Sequence, residues 1–210
     1  GVSSAASDVY KRQYWFKASV MTELGNRMPR TLELAVLAIT LSVLFSVPLG
    51  IVSAIKPDSW LDLGARTFTI IGIAIPNFLM AILMILLLLA VFNWLPPLGY
   101  VELWENPLRN LQQMIFPAIA LAIYDMAFIG RVTRSSMMEV LREDYMRTAR
   151  AKGLAERVVL VRHGLKNAFL PILTISGWQF ARLFEGAVII ETIFLIPGVG
   201  RILIEAIFHR

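Results

Sequence analysis

The chain has 210 residues, 57% of them hydrophobic and 17% charged, with a formal net charge of +5 and no cysteine. A soluble domain carries about 25% charged residues, and the apolar residues here come in long blocks, so the composition is that of a membrane protein. The lack of cysteine excludes a disulfide framework and a thiolate metal site, and two histidines, His163 and His209, are too few for a histidine-rich one.

Residues 1–13, GVSSAASDVYKRQ, are small and polar and show no periodicity. They lack the basic start, apolar stretch and cleavage site of a signal peptide. They read as a foreign extension, set apart from the fold within an N-terminal outer segment, residues 1–30.

Four spans follow. A bilayer core of about 30 Å needs about 20 apolar helical residues. Residues 31–55 meet this with one acid, Glu33, and residues 67–92 meet it with no charge. Residues 114–130, running on to about Arg134, carry Asp125, and residues 168–190 span despite Arg182 and Glu185. Pro48, Pro76, Pro117 and Pro171 each break local backbone bonds, which membrane helices tolerate where neighbours satisfy the freed groups. At Pro76–Asn77 a simple kink is expected, with an opening of the backbone toward an interior path as the alternative. The fold class is therefore all-α, a polytopic helical bundle with four spans.

The loops set the direction. Residues 131–167 hold nine Lys/Arg against four acids, an excess that equals the net charge of the whole chain. Residues 93–113 hold only Arg109 against Glu102 and Glu105. Lys and Arg accumulate on the cytoplasmic side, which puts 131–167 and 56–66 inside and 93–113 and 14–30 outside.

Within the basic loop, residues 137–152 read as a helix, with Met138, Leu141, Tyr145 and Ala149 at helical spacing and Glu143–Arg147 as an i,i+4 pair. Gly153 stops it, as a glycine just past a helix end does. A second helix over about 155–168 precedes Pro171, which opens the last span. Four uses compete for such a loop: a solvated topology signal, a nucleic-acid site, a lipid-surface helix and a docking element. Tethering at both ends, interspersed acids and the lack of stacking aromatics argue against nucleic acid. Docking is favoured, because Val158, Val159, Leu160 and Val161 form an apolar ridge beside the charges and Gly153 permits close backbone approach.

The stretch REDYMRTARAKGLAERVVLVRHGLKNAFLPILT, residues 142–174, resembles the cytoplasmic coupling loop of ABC importer permeases. Together with RMPRTLELAVLAI (27–39), RVTRSSMMEVLREDY (131–145) and IIETIFLIPGVGRILIEAI (189–207), it is similar to the peptide and nickel branch of that family, over about residues 17–210 and in the expected order. The departures are local. Arg147 and Thr148 stand where that loop has a glutamate and an alanine, Gly164 where an alanine is commoner, and Pro171 falls later than in the general pattern. Permeases of this kind have six spans, so a chain with four reads as a fragment lacking the first and last.

The resemblance implies a type I ABC importer permease domain over residues 31–210 in a bacterial or archaeal inner membrane. It implies a second homologous permease subunit, a separate ABC ATPase subunit and an extracytoplasmic solute-binding protein as partners. Thr148, Ala149, Gly153, Leu154, Glu156 and Arg157 are then the residues that meet the ATPase. The cargo is a peptide or related small solute, with a nickel or other metal chelate or glutathione as the alternative. No phosphate-cradling GxxxxGK[ST] loop is present, so ATP hydrolysis belongs to another subunit, and neither a cofactor nor a catalytic residue is assigned here.

Charged groups inside a membrane are expensive and face the bundle interior or a wet path. Asp125, Arg182 and Glu185 are accordingly candidates for the path, together with Pro76 and Asn77. Against this stands mutual satisfaction of Arg182 and Glu185 on one helix face, and of Asp125 by a neighbouring helix. A passive channel would leave the long docking loop without a purpose. An intramembrane enzyme would need clustered acids, histidines or a nucleophile, and the spans offer only scattered singles.

Overall fold

The computed structural model describes residues 20–208 except 96 and 98, and the regular secondary structure of these described residues is helical, with no strand among them. The suspected foreign segment 1–13 lies outside them. Chain order gives α1 (Val20–Ile55), α2 (Trp60–Ala74), α3 (Asn77–Phe92), α4 (Pro107–Leu141), α5 (Asp144–Ala151), α6 (Glu156–Ile193) and α7 (Val199–Phe208). Three helices, Met21–Ile55 within α1, α4 and α6, are each long and apolar enough to cross a membrane, and a fourth crossing exists where α2 and α3 count as one bent pair.

The bend is the first departure from expectation. At Pro76 the chain turns by 109° rather than kinking. Proline lacks an N–H and pushes the residue before it out of the α region. Ile75 is accordingly extended, at φ −89° and ψ 121°, so α2 stops and α3 starts afresh. Pro48, Pro117 and Pro171 remain inside continuous helices.

α4 is the centre of the bundle and packs against α1, α2, α3 and α6, most extensively against α1. The α1 side of that seam is Ala38, Ser42, Ser46, Gly50 and Ala54, one small buried residue every four positions. Small residues let membrane helices approach until backbone meets backbone. Ser42 Oγ donates to Ala122 O of α4 at 3.2 Å, and a methyl group at Gly50 would sit 2.7 Å from Gly130 O. Gly72 repeats the device between α2 and α4, where an added Cβ would meet Ala127 at 2.8 Å. Gly186 of α6 leaves room for Leu121 and for the side chain of Asn77 at the start of α3.

The helices overrun the expected spans. At 36 residues and 1.5 Å per residue, α1 is about 54 Å long. It starts eleven residues earlier than the apolar block, with Glu23 and Arg27 bridging at 2.7 Å. α4 begins on Asn106, whose side chain caps Arg109 N, with Pro107 in the first turn, where its missing N–H costs nothing. It runs unbroken through Arg134 to Leu141.

Gly50→Leu is expected to destabilise the bundle by about 1–3 kcal/mol, the usual range for overpacking. Gly25→Ala, at a helical position with nothing within 4 Å, is expected to be neutral or stabilising by about 0.5–1 kcal/mol. Thermal unfolding of the two variants in one detergent measures both, and equal melting points would contradict the seam.

Candidate coupling site and transmembrane path

The basic stretch is not one helix over 137–152. α4 ends at Leu141, Arg142 and Glu143 turn, and α5 starts at Asp144. The break orients α5 so that Met146 and Ala149 pack with Val159, all three buried; tertiary packing overrides helix propensity here. Glu143 is extended, at φ −66° and ψ 148°, so it lies off the helix face of Arg147, which instead reaches Asp144 at 3.4 Å.

α5 ends in a complete Schellman turn. Gly153 N–H donates to Arg150 O at 2.9 Å and Leu154 N–H to Ala149 O at 3.4 Å, the paired bonds that close a helix on a left-handed residue. Gly153 supplies that conformation at φ +76°. Arg150 Nη2 then bridges the elbow to Glu156 at 3.0 Å. The Arg150 guanidinium holds the Glu156 carboxyl below its ordinary range. The bridge is therefore fully formed above that range and is lost only as pH falls through the lowered value.

Of the six residues assigned to the elbow, Thr148, Gly153, Leu154, Glu156 and Arg157 are exposed, and Ala149 is packed inward. The apolar ridge is likewise divided. Val158 and Val161 are exposed, at 39% and 57%, while Val159 is fully buried, because four consecutive helical residues cannot share one face. Space beside Gly153 is open, with nothing of this chain within 4 Å of an added Cβ.

The second helix is not separate either. α6 runs from Glu156 straight through Pro171 to Ile193, and residues Val159–Leu165 are wound as a π-helix. Gly164, where the resemblance leads one to expect alanine, faces the methyl ends of Met137 and Met146 at 3.4 and 3.5 Å from a built Cβ, an ordinary contact.

The proposed path residues are only partly together. Asp125 is 4% exposed and accepts from Gln179 Nε2 of α6 at 2.7 Å. Gln179 Oε1 is buried without a hydrogen-bond partner among the described residues. Arg182 does not bridge to Glu185; it donates to Tyr124 OH at 3.2 Å and lies over that ring at 5.1 Å. Asn77 packs beside Gly186, one residue beyond Glu185, and Pro76 is exposed at the bend.

Two buried acids escaped the sequence reading. Asp62, at 0% exposure, accepts from Arg134 Nε at 2.7 Å and Nη2 at 3.0 Å, from Asp58 N at 2.9 Å, and from Ser53 Oγ and Arg66 Nη2. It ties α1, α2 and α4 at the basic end. Asp58, Asp62 and Arg66 at four-residue spacing were the available signal. At the far end Glu191, also at 0%, accepts from Thr31 Oγ1 at 2.5 Å, Gly200 N at 2.7 Å and Arg201 N at 3.2 Å. Its carboxylate caps α7, and a methyl group at Gly198 would overlap it.

Around Glu191 the far end is closed by polar bonds. Arg30 Nη2 meets Glu102 at 2.7 Å and Nη1 meets Pro197 O at 3.3 Å, with the guanidinium 5.0 Å from the Tyr100 ring centre. Tyr100 OH donates to Glu33 at 2.6 Å. Burial, then the Glu33 carboxylate, push that hydroxyl up, so it stays a donor. Gln113 holds the preceding loop by accepting from Val101 N at 3.0 Å and donating to Pro97 O at 3.1 Å. Residues 56–66 and 131–167 thus share one end of the bundle, and 93–113 shares the other with 27–31 and 191–201.

Residues 46–210 match the family of binding-protein-dependent transport system inner membrane components. A Brucella suis relative is 39% identical over 199 residues, covering 95% of this chain and 63% of its own length. The oligopeptide transport system permease protein AppB of Bacillus subtilis is 41% identical, over 88% of this chain and 59% of that protein. The dipeptide transport system permease protein DppB of the same organism is 38% identical, over 91% and 60%. The chain therefore spans about three fifths of the length of these relatives. Among solved structures, an amino acid ABC transporter crystallised with histidines shares the fold, with a TM-score of 0.62 over 90% of this chain and 81% of the other at 18% identity.

Removing Arg134 strands a buried carboxylate, and breaking one partner of such a pair costs about 3–5 kcal/mol. Arg134→Met is expected to lose about 3 kcal/mol of that, because Arg66 and Ser53 remain. Arg134→Met with Asp62→Asn is expected to recover most of it. Unfolding of the single and double variants measures the coupling, and additive losses would remove Asp62 from the role of tie.

Proposed function

We propose that this chain, which belongs to the family of binding-protein-dependent transport system inner membrane components, is the membrane-spanning part of a permease subunit of an ATP-driven peptide importer. It is an α-helical protein of the bacterial inner membrane. The observation that carries the reading is the exposed, glycine-turned elbow mounted between two long helices, α4 and α6. A lipid-facing protein has no use for a rigid, solvent-exposed turn of this kind unless something grips it.

In this reading the basic end is cytoplasmic, as its excess of Lys and Arg favours. A separate ATPase subunit receives residues 148–158 in a groove, with Gly153, Leu154 and Val158 at the contact and Arg150–Glu156 holding the elbow's shape. Ala149 serves from behind, by fixing α5 on α6. Because α6 runs unbroken from the elbow into the membrane and α4 joins α5 through only the short turn at Arg142–Glu143, a displacement there moves helices as rigid bodies rather than bending a long loop. ATP-driven closure then biases two states of the bundle, and it does so only to the extent that the bound nucleotide favours one of them.

A second, homologous permease subunit completes the path, and an external solute-binding protein delivers the cargo. The names of the relatives support oligopeptides or dipeptides as that cargo. Asn77 and Glu185 are the path residues favoured, since Asn77 packs beside Gly186 at the α3–α6 contact next to the break, while Arg182 lies against Tyr124 of α4. Asp125, satisfied by Gln179, acts by holding α4 to α6. ATP hydrolysis takes place on the ATPase subunit, so this chain is not itself an enzyme.

Two experiments test this. Single cysteines at Lys152 and Glu105, both exposed, are expected to react with an impermeant thiol reagent from opposite sides of the membrane; labelling of both from one side rejects the orientation. Gly153→Asn keeps a residue that accepts the left-handed conformation while adding a side chain at the proposed contact. In the full-length permease it is expected to insert and melt like the parent. Co-purification of the ATPase or transport-coupled hydrolysis is expected to fall about tenfold or more, the effect of a contact worth 1.4 kcal/mol. A parent-like rate of uptake would show that this elbow is not the coupling element.

A further inference from the structure

Between α1, α2 and α4 at the basic end lies a cavity of about 490 Å³, within the size range of small-ligand sites, about 300–1,000 Å³. Its walls are of two kinds. Leu49, Gly50, Ala65, Ile70 and Gly130 are apolar or small, and Ser53, Thr69, Ser135 and three arginines, Arg66, Arg131 and Arg134, supply donors.

Neither the elbow nor the path uses this cavity, and its charge is unbalanced. Against the three arginines stand Asp62, which is fully buried beneath them, and Asp58, whose side chain is 85% exposed. Among the described bonds Arg66 commits only Nη2, and Arg134 commits Nε and Nη2. Arg131 makes a ring contact with Phe128 at 5.6 Å. Donors on all three guanidinium groups therefore remain for a ligand, and Arg is the side chain whose planar fork matches phosphate.

The depth of the cavity identifies the ligand's other half. α2 starts beside it with Trp60 at 88% exposure, the amphipathic residue type that settles at the headgroup level of a bilayer. Ten residues further into α2, Ile70 lines the cavity and is itself 70% exposed, next to Ile71 at 51%. The cavity thus opens from a basic mouth onto an apolar face, Ile70 and Ile71, that the described residues leave largely uncovered. A soluble anion would use the mouth and leave that face unoccupied.

We propose that this cavity binds the phosphate headgroup of an anionic phospholipid, with an acyl chain lying along the Ile70–Ile71 face. The inference rests on the cytoplasmic orientation proposed above, where anionic headgroups meet basic pockets between helices, but not on transport. The lipid would brace the α1–α2–α4 corner next to the Asp62 tie.

The test uses the full-length permease in its assembled transporter, so that every span is present. Binding of phosphatidylglycerol against phosphatidylcholine is read by native mass spectrometry of the detergent-solubilised complex. The parent is expected to prefer phosphatidylglycerol. Arg131→Gln, outside the Asp62 network, is expected to lower that preference about fivefold, the effect of one arginine near a lipid surface. Arg131→Lys is expected to retain most of it, which separates lost charge from lost folding. Arg142→Gln, a basic residue of the same end that does not line the cavity, is expected to leave the preference unchanged. Equal retention of both lipids by the parent, an unchanged preference in Arg131→Gln, an equal loss in Arg142→Gln, or displacement of the lipid by excess inorganic phosphate would each overturn the proposal. Because the readout is lipid retention and not uptake, its failure leaves the peptide-importer reading intact, and a failure of coupling leaves this one intact.

Discussion

The rest of the molecule depends on how closely α1 can lie against α4. Inside a bilayer there is no water to expel from between two helices, so packing contacts and interhelical hydrogen bonds must hold them together. The step of four residues from Ala38 through Ser42, Ser46 and Gly50 to Ala54 provides the first, and Ser42 Oγ on Ala122 O the second. With that seam closed, Ser53 comes within reach of Asp62 and Arg134, which fastens the start of α2. At the other end Thr31 comes within reach of Glu191, which fastens α7. Both polar ties thus depend on where that packing holds α1, one toward each end of this helix.

Much of this was legible from residue order alone, and the rest fails for identifiable reasons. Apolar runs located the crossings, because hydropathy measures what lipid demands. It could not locate their ends, because α1, α4 and α6 continue as helices once they leave the apolar block. Gly153 was readable as a helix stop, since a left-handed residue after a basic last turn is a local signal. The break at Arg142–Glu143 was not, because its cause is the burial of Met146 and Ala149 on Val159, a contact made with residues ten or more positions away. Pro76 illustrates the same limit: a proline states that a bond is missing, and only the surrounding packing decides whether the helix bends slightly or turns by 109°.

The candidate site shows a similar division. The elbow was found because its features are local in sequence. The path residues were named for being charged in lipid, and the fold sorts them by neighbour: Asp125 is consumed by Gln179, whereas Arg182 rests on Tyr124. Asp62 and Glu191 went unnoticed because each stands at the edge of an apolar run, where an acid is unremarkable until its donors are seen. These donors come from as far away as Arg134 and Thr31, so no window along the chain contains them.

The winding of α6 between Val159 and Leu165 bears on how the elbow faces the span beneath it. Buried positions along the helix fall at Val159, Gly164, Ala168 and Ile172, a step of five followed by steps of four. In a uniform α-helix a step of five would turn Val159 far round from the stripe below, and α5 would dock on a different side of the bundle. The wider π turn absorbs the additional residue, so the azimuth is kept while the chain is one residue longer. The late position of Pro171 relative to Gly153 is then a change in length without a change in direction. Shortening this segment by one residue, with a return to α winding, would leave the elbow pointing the same way. Adding one beyond it would rotate the elbow about 100° away from anything waiting to grip it.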